Sequence, residues 1–177
     1  MKPIFILLIL LLSACSFTAQ YPQNWEAIDQ SKTCDSIIGQ YKNNGEYYFD
    51  GKPLQRGFSY IVLPNNKQNL STIESFDVVK NDAGLYKLII GNSTSEFNPI
   101  AIELQCQKGS LHIAKDSNFT GHEPGALVLG VESNSFSLFN SANNNLILKT
   151  ENSAVGLLML VIPVAGSTDN WYKFERL

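Results

Sequence analysis

The chain is poor in the residues that carry most catalytic and nucleic-acid chemistry. Charged residues make up only 16%, and there are two histidines, His112 and His122, three cysteines and two tryptophans. Its 13 Lys and Arg are scattered, and 16 acidic residues leave a formal net charge of -3. A nucleic-acid partner needs several cations on one face to neutralise phosphates, so that class of partner is excluded. A nucleophile elbow needs Gly-x-Ser-x-Gly, and both Gly57-Phe58-Ser59 and Gly91-Asn92-Ser93 lack the second glycine. A phosphate-binding glycine loop, His-Glu-x-x-His and an Asp-rich calcium loop are likewise missing. Long amphipathic helical patterns are absent too, which disfavours a parallel sheet with crossover helices.

What is present begins at the N-terminus: a basic Lys2, an unbroken apolar run from Ile4 to Leu12, then small residues before Cys15. These three parts make a secretory signal, and the run is less than half of the roughly 20 apolar residues that a spanning helix requires. The segment targets rather than spans. Leu12-Ser13-Ala14-Cys15 resembles the processing site of bacterial lipoproteins. The resemblance implies diacylglyceryl transfer to the thiol of Cys15, cleavage before it and acylation of the new amine. A thiolate is the nucleophile such a transfer needs. Ser16 stands where, in that family, an aspartate would retain the protein at the inner membrane, so the resemblance implies the outer membrane, facing the periplasm. The boundaries expected are therefore 1–14 for a removed signal peptide, 15–33 for a lipid anchor and tether, and 34–177 for a single β-rich domain. Its membrane partner would be reached through acyl chains on Cys15.

With Cys15 assigned to lipid, Cys34 and Cys106 remain as an even pair in an oxidising compartment, and one disulfide is the parsimonious reading. Closing so long a loop stabilises a fold by roughly 4 kcal/mol in the chain-entropy model. The rival is a metal site with His112 and His122. Structural zinc sites show close ligand pairs, however, and these four residues are spaced widely and irregularly, so no metal ligand is assigned.

Between anchor and body, Ser16 to Asn24 is mostly polar, and Trp25 to Ile28 after Asn24 has the makings of one capped helical turn. From Cys34 onward the pattern has period two, the signature of half-buried strands. Ile100, Ile102, Leu104 and Cys106 share one face, which predicts an inward-pointing Cys106. Leu111 and Ile113, Phe136 and Leu138, Leu146 and Leu148, and Tyr172 and Phe174 repeat the alternation. Further strands are predicted at Ile37 to Lys42, Phe76 to Lys80, Leu85 to Ile90 and Leu127 to Val131. Pro53 to Leu63 carries a helical alternative, with Leu54, Phe58, Ile61 and Val62 on one face. Leu157 to Ile162, inside the apolar run Val155 to Ala165, reads as a strand buried on both faces. Its rival is a surface that dips into lipid. The fold class is all-β: an antiparallel meander of about 8–10 strands as a barrel or sandwich, with one short helix near 53–63.

Gly39-Gln40-Tyr41 on the first strand resembles the Gly-x-Trp signature of the lipocalins, with Tyr in place of Trp. In that family a late arginine packs over the ring, a role that falls here to Arg176. The resemblance implies a barrel and transfers no ligand.

No catalytic residue is assigned. Ser110 and His112 share what reads as the solvent face of one strand, with no carboxylate evident to orient the imidazole. His122 lies in the loop Thr120-Gly121-His122-Glu123-Pro124-Gly125, which has recognition value but reads first as a hairpin connection. The 17 asparagines read as turn formers. Tyr47-Tyr48-Phe49 with Trp25 and Tyr21 is the best candidate for an exposed aromatic surface. Three function classes remain, none with a cofactor: a lipid-anchored interaction module of the cell envelope with a protein partner, a lipocalin-like carrier of a small apolar ligand, and an enzyme of unrecognised type.

Overall fold

The computed structural model describes residues 15–66, 68–91, 98–120, 128–158 and 162–177; within these, the side chains of 15–18, 114–120, 128–129, 157–158 and 162–164 are not described. The chain is mainly β. In order come β1 (Cys15–Thr18), β2 (Gly39–Lys42), β3 (Asn44–Phe49), β4 (Lys52–Gly57), the short helix α1 (Phe58–Val62), β5 (Ser75–Lys80), β6 (Tyr86–Ile90), β7 (Ile100–Gln107), β8 (Ser110–Thr120), β9 (Val128–Asn140), β10 (Leu146–Leu158) and β11 (Ile162–Phe174). The sheet order is β2-β5-β6-β7-β8-β9-β10-β11-β3-β4, with β1 added parallel to β11. From β5 to β11 spatial order follows chain order, so this part is the antiparallel meander that the alternation predicts.

The described chain falls into two compact units. The larger holds residues 20–114, 135–150 and 170–177, and its sheet curls. Only Asn43 separates β2 from β3. On one side of this stretch β2 pairs with β5 and β3 with β4; on the other, Tyr47 faces Tyr172 of β11. Beyond β11 the C-terminal segment continues along β2. Lys42 N–H donates to Glu175 O at 2.9 Å, Leu177 N–H to Gln40 O at 2.9 Å, and Tyr41 bridges Arg176. The C-terminal residues thus bond the far side of the strand at which the sheet order begins.

Inside the curl Phe58 and Phe76 stack with ring centroids 3.8 Å apart, and Phe174 meets both edge-on at 5.1 and 5.7 Å. Tyr41 adds a second stacked contact to Phe76 at 5.6 Å. Offset and edge-on pairs of this kind contribute about 0.5–1.5 kcal/mol each beyond the area they bury. Ile37, Leu88, Ile90, Leu111, Leu138, Leu146 and Leu148 are fully buried with them. Gly45 is required here, since a Cβ at that position would come within 2.3 Å of the Phe174 ring.

Asn43 organises the kink between β2 and β3. It is buried, and its backbone N–H donates to Glu74 O at 2.7 Å while its carbonyl accepts from Phe58 N–H at 2.7 Å. Its side-chain oxygen accepts from Ser59 N–H at 2.9 Å, and Nδ2 donates to Ser59 Oγ at 3.1 Å and Ile73 O at 2.9 Å. The first backbone donors of α1 are met by this one residue, in place of a cap from Gly57. Asn43 is therefore a buried hub, not the turn former that asparagine content implied.

Cys34 and Cys106 form a disulfide with Cα atoms 6.0 Å apart across a sequence separation of 72. Cys34 is buried, but Cys106 is exposed rather than inward-pointing. Burial along β7 peaks at Leu104, and the last residues of the strand run past the core.

Other expectations change as well. The helical pattern at 53–63 resolves into β4 followed by α1, because Lys52 to Gly57 pairs with β3 along its whole length. Pro53 is accommodated there because β4 ends the sheet order. Trp25 to Ile28 is not a helical turn: Trp25 N–H closes a turn on Pro22 O, and Ile28 bridges Ser141. Of the strand expected at Leu157 to Ile162, Leu157 and Leu158 belong to β10 and Ile162 to β11, and residues 159–161 lie outside the described residues. The separate strands read at Leu127 to Val131 and around Phe136 join, from Val128, in one 13-residue strand, β9.

Two stability measurements follow. Asn43→Ala strands the Ser59 N–H and the Ile73 carbonyl in the interior, and a loss of about 3 kcal/mol is expected in urea unfolding; a loss within error of zero would remove Asn43 from its hub role. Joint replacement of Cys34 and Cys106 by Ala should lower stability by about 4 kcal/mol through the freed unfolded chain, and denatured, unreduced protein should show neither thiol to a thiol-reactive dye.

Candidate functional site

The first group of interest joins the two ends of the larger unit. The Arg176 guanidinium lies 5.8 Å from the Tyr41 ring centroid and donates to Ser36 O at 3.3 Å and to Ile38 O. A Cβ on Gly39 would stand 2.7 Å from Arg176 Nη2, so glycine is what lets the guanidinium pass. These are the residues and the contact that the lipocalin resemblance implies. Tyr41 is fully buried and donates to Ile37 O at 2.6 Å. Burial pushes its phenol up to about 12, with Arg176 pulling the other way. The arrangement latches the C-terminal segment to β2; it holds structure rather than reacting.

The second group is the segment expected to be a tether. Residues 20–33 are bound down along the larger unit. Asp29 N–H donates to Asn140 O at 3.0 Å, Ala142 N–H to Ala27 O at 3.0 Å, and Lys32 Nζ to Asn144 Oδ1 at 2.8 Å. Trp25 is buried, its Nε1 donating to Glu46 Oε1 at 3.1 Å and its face lying 5.3 Å from Lys173 Nζ. Tyr21 meets Trp25 and Trp171 edge-on at 5.8 and 5.2 Å, and Lys149 Nζ lies 5.5 Å from the Trp171 ring. Burial, then the nearby Glu26 charge, pushes the Tyr21 phenol up to about 12. Hydrogen bonding to its own backbone N–H leads the causes that hold the Glu26 carboxyl below its ordinary range. The five aromatic residues expected to form one exposed surface are divided by strand alternation. Tyr48 packs on Trp25, Tyr47 turns to Tyr172, and only Phe49 stands 69% exposed. Sequence patterning missed the strap because a lone Trp among polar residues leaves no periodic trace.

The third group is Ser110, His112 and Ser137. Ser110 is buried rather than solvent-facing, and its Oγ lies 2.8 Å from His112 Nε2; Ser137 Oγ lies 3.0 Å from Nδ1. Ser110 Oγ also donates to Gln107 O at 2.8 Å, which uses its single proton. If Ser110 gives its proton to Gln107 O, His112 Nε2 is the donor between the two, and in that tautomer the imidazole does not act as a base towards Ser110.

Cys15 opens β1, opposite Gly166 of β11. The His122 loop from residue 121 onward lies outside the described residues. Among the described residues, no group of three or more His, Cys, Asp or Glu is placed to hold a metal ion. Comparison of the chain with protein-family models, with curated proteins and with solved structures yields no match.

The latch makes a signed prediction. A phenol whose folded pKa lies above its unfolded value near 10 contributes stability below that pH, and the contribution fades as pH rises towards about 12. Stability of the native protein should fall over that interval, and Tyr41→Phe should flatten the fall while losing about 1 kcal/mol at neutral pH with the hydrogen bond to Ile37. Unfolding curves across the alkaline range check both; a Tyr41 titrating at 10 in the folded protein would contradict the burial argument.

Proposed function

We propose that this protein is a lipid-anchored lipoprotein of the bacterial cell envelope, acting as a binding or interaction module on the periplasmic side of the outer membrane rather than as an enzyme. The observation that carries the reading is Leu12-Ser13-Ala14-Cys15 after a short apolar leader. Acyl chains on Cys15 hold the protein at the bilayer, because each buried methylene adds about 0.8 kcal/mol of membrane affinity and two or three chains bind firmly. Its partner is a protein of the envelope.

The packed interior of the larger unit supports an interaction module over a carrier. Phe58, Phe76 and Phe174 fill the curl where a lipocalin-like carrier would place its ligand. The carrier remains the second reading, favoured by the Gly39, Tyr41 and Arg176 contact.

Replacement of Cys15 by Ala should abolish labelling by an alkyne palmitate and release the protein from the membrane fraction; full retention in that fraction would refute the anchor. Crosslinking in intact cells should capture an envelope protein. Saturable binding of an apolar fluorescent probe, weakened by substitutions at Phe58 or Phe76, would instead favour the carrier.

A further inference from the structure

In the larger unit β4 ends the sheet order, with β3 on one side and no strand on the other. Lys52 to Arg56 are all exposed. Phe58 N–H donates to Asn43 O, and bonded positions alternate along an antiparallel pair, so Lys52, Leu54 and Arg56 bond to β3 while Pro53 and Gln55 turn their backbone groups outward. Pro53 has no N–H to leave open. The free edge therefore offers Pro53 O and both the N–H and the O of Gln55, and among the described residues no backbone group bonds to them. Directly opposite residues share a face, which sets Lys52, Leu54 and Arg56 beside Phe49, Tyr47 and Gly45. The middle of this face is apolar, with Leu54 42% exposed and Phe49 more so. Lys52 and Arg56 flank Leu54, and among the described residues neither makes an ion pair, whereas Lys42, Lys80 and Lys173 each stand by a carboxylate.

We propose that the free edge of β4 takes up an extended segment of an envelope protein as an added antiparallel strand, one that carries the pattern acidic-x-apolar-x-acidic. The inference rests on the interaction-module reading, and names its surface and the chemistry of its partner. Main-chain bonds to Pro53 O and to Gln55 hold the segment, and its alternate side chains give selectivity. The two acidic residues stand opposite Arg56 and Lys52, and the apolar one between them packs on Leu54. Charge decides the occupant. A second copy pairing through its own β4 would crowd four cations on one face, whereas an acidic strand neutralises both Lys52 and Arg56. Lysine and proline on an edge guard against chance pairing. Here the same two cations that repel a copy attract an acidic strand, and Pro53 withholds a donor without closing the acceptors beside it.

The test uses the purified mature protein, isotope-labelled and held in nonionic detergent, and a short peptide with Glu-Thr-Val-Thr-Glu at its centre, read by amide chemical shifts. The Gln55 amide should shift saturably, with a Kd below about 1 mM. Joint replacement Lys52→Glu and Arg56→Glu, both at exposed positions, should raise that Kd at least about tenfold by setting like charges together, with the unfolding midpoint unchanged. Lys108→Glu, exposed in the turn between β7 and β8, should leave the Kd as it is. N-methylation of the two threonines, whose N–H groups face β4 in this register, should abolish binding, while N-methylation of the valine should not. No shift at Gln55, or equal binding of the threonine-methylated peptide, overturns strand addition. A dimer in sedimentation that Gln55→Pro dissolves makes the second copy the occupant and also overturns it. Crosslinking in intact cells reads the module separately: a captured envelope protein without peptide binding at Gln55 overturns the edge and leaves the module standing, and peptide binding with no captured protein upholds the edge and removes the module reading.

Discussion

The larger unit depends on one constraint: residues 39–49 pair with β5 and β4 on one side and with β11 and its C-terminal continuation, out of register, on the other, and a straight ladder cannot do this. Between Glu46 opposite Lys173 and Tyr41 opposite Arg176, five residue steps on one chain face three on the other. The mismatch falls at Asn43. Extra residues in a ladder lose their regular partners, and a buried group without a partner is costly. Asn43 resolves this because its amide both donates and accepts, which joins β2, β3, the start of α1 and the Ile73–Glu74 segment in one network.

The rest of the larger unit follows from that junction. Anchoring the start of α1 aims Phe58 at Phe76 and Phe174, and this ring cluster fills the curl. The shift in register also lets the C-terminal segment reach β2, where Arg176 crosses Gly39 and covers Tyr41. Outside, the strap of residues 20–33 buries its own Trp25 against β3 and ties the turn after β9. Interior and flank are thus committed to stability. The smaller unit differs in leaving Val131 of β9 and Val155 of β10 exposed.

Legibility in the sequence followed burial. β5, β6 and β7 were readable because each has one face in the core, and alternation records that difference. β9, β10 and β11 were read only in part. Their segments in the smaller unit, such as Asn152 to Gly156, are half-buried or exposed and alternate weakly, so each strand looked shorter than it is. Cys106 followed the period of its strand but lies past the core, where period no longer reports burial. Asn43 did leave a signal, as a polar residue on the same face as Tyr41 and Gly45, all three buried. Ser110 and His112 share a face, as their spacing implies, but it is not the solvent face: Ser110 is buried and bonded to Gln107 O.

By itself the sequence determined local and covalent matters: a short apolar run ahead of Cys15, an even cysteine pair in the body, and the face each core strand buries. These depend on residue type and spacing along the chain. Tertiary structure alone decided which strands are neighbours, where the register slips, and that residues 20–33, expected as part of a tether, are a strap. The physical reason is that periodicity reports burial against something without naming it, whereas hydrogen-bond partners and ring contacts are chosen between residues as distant as Tyr41 and Arg176.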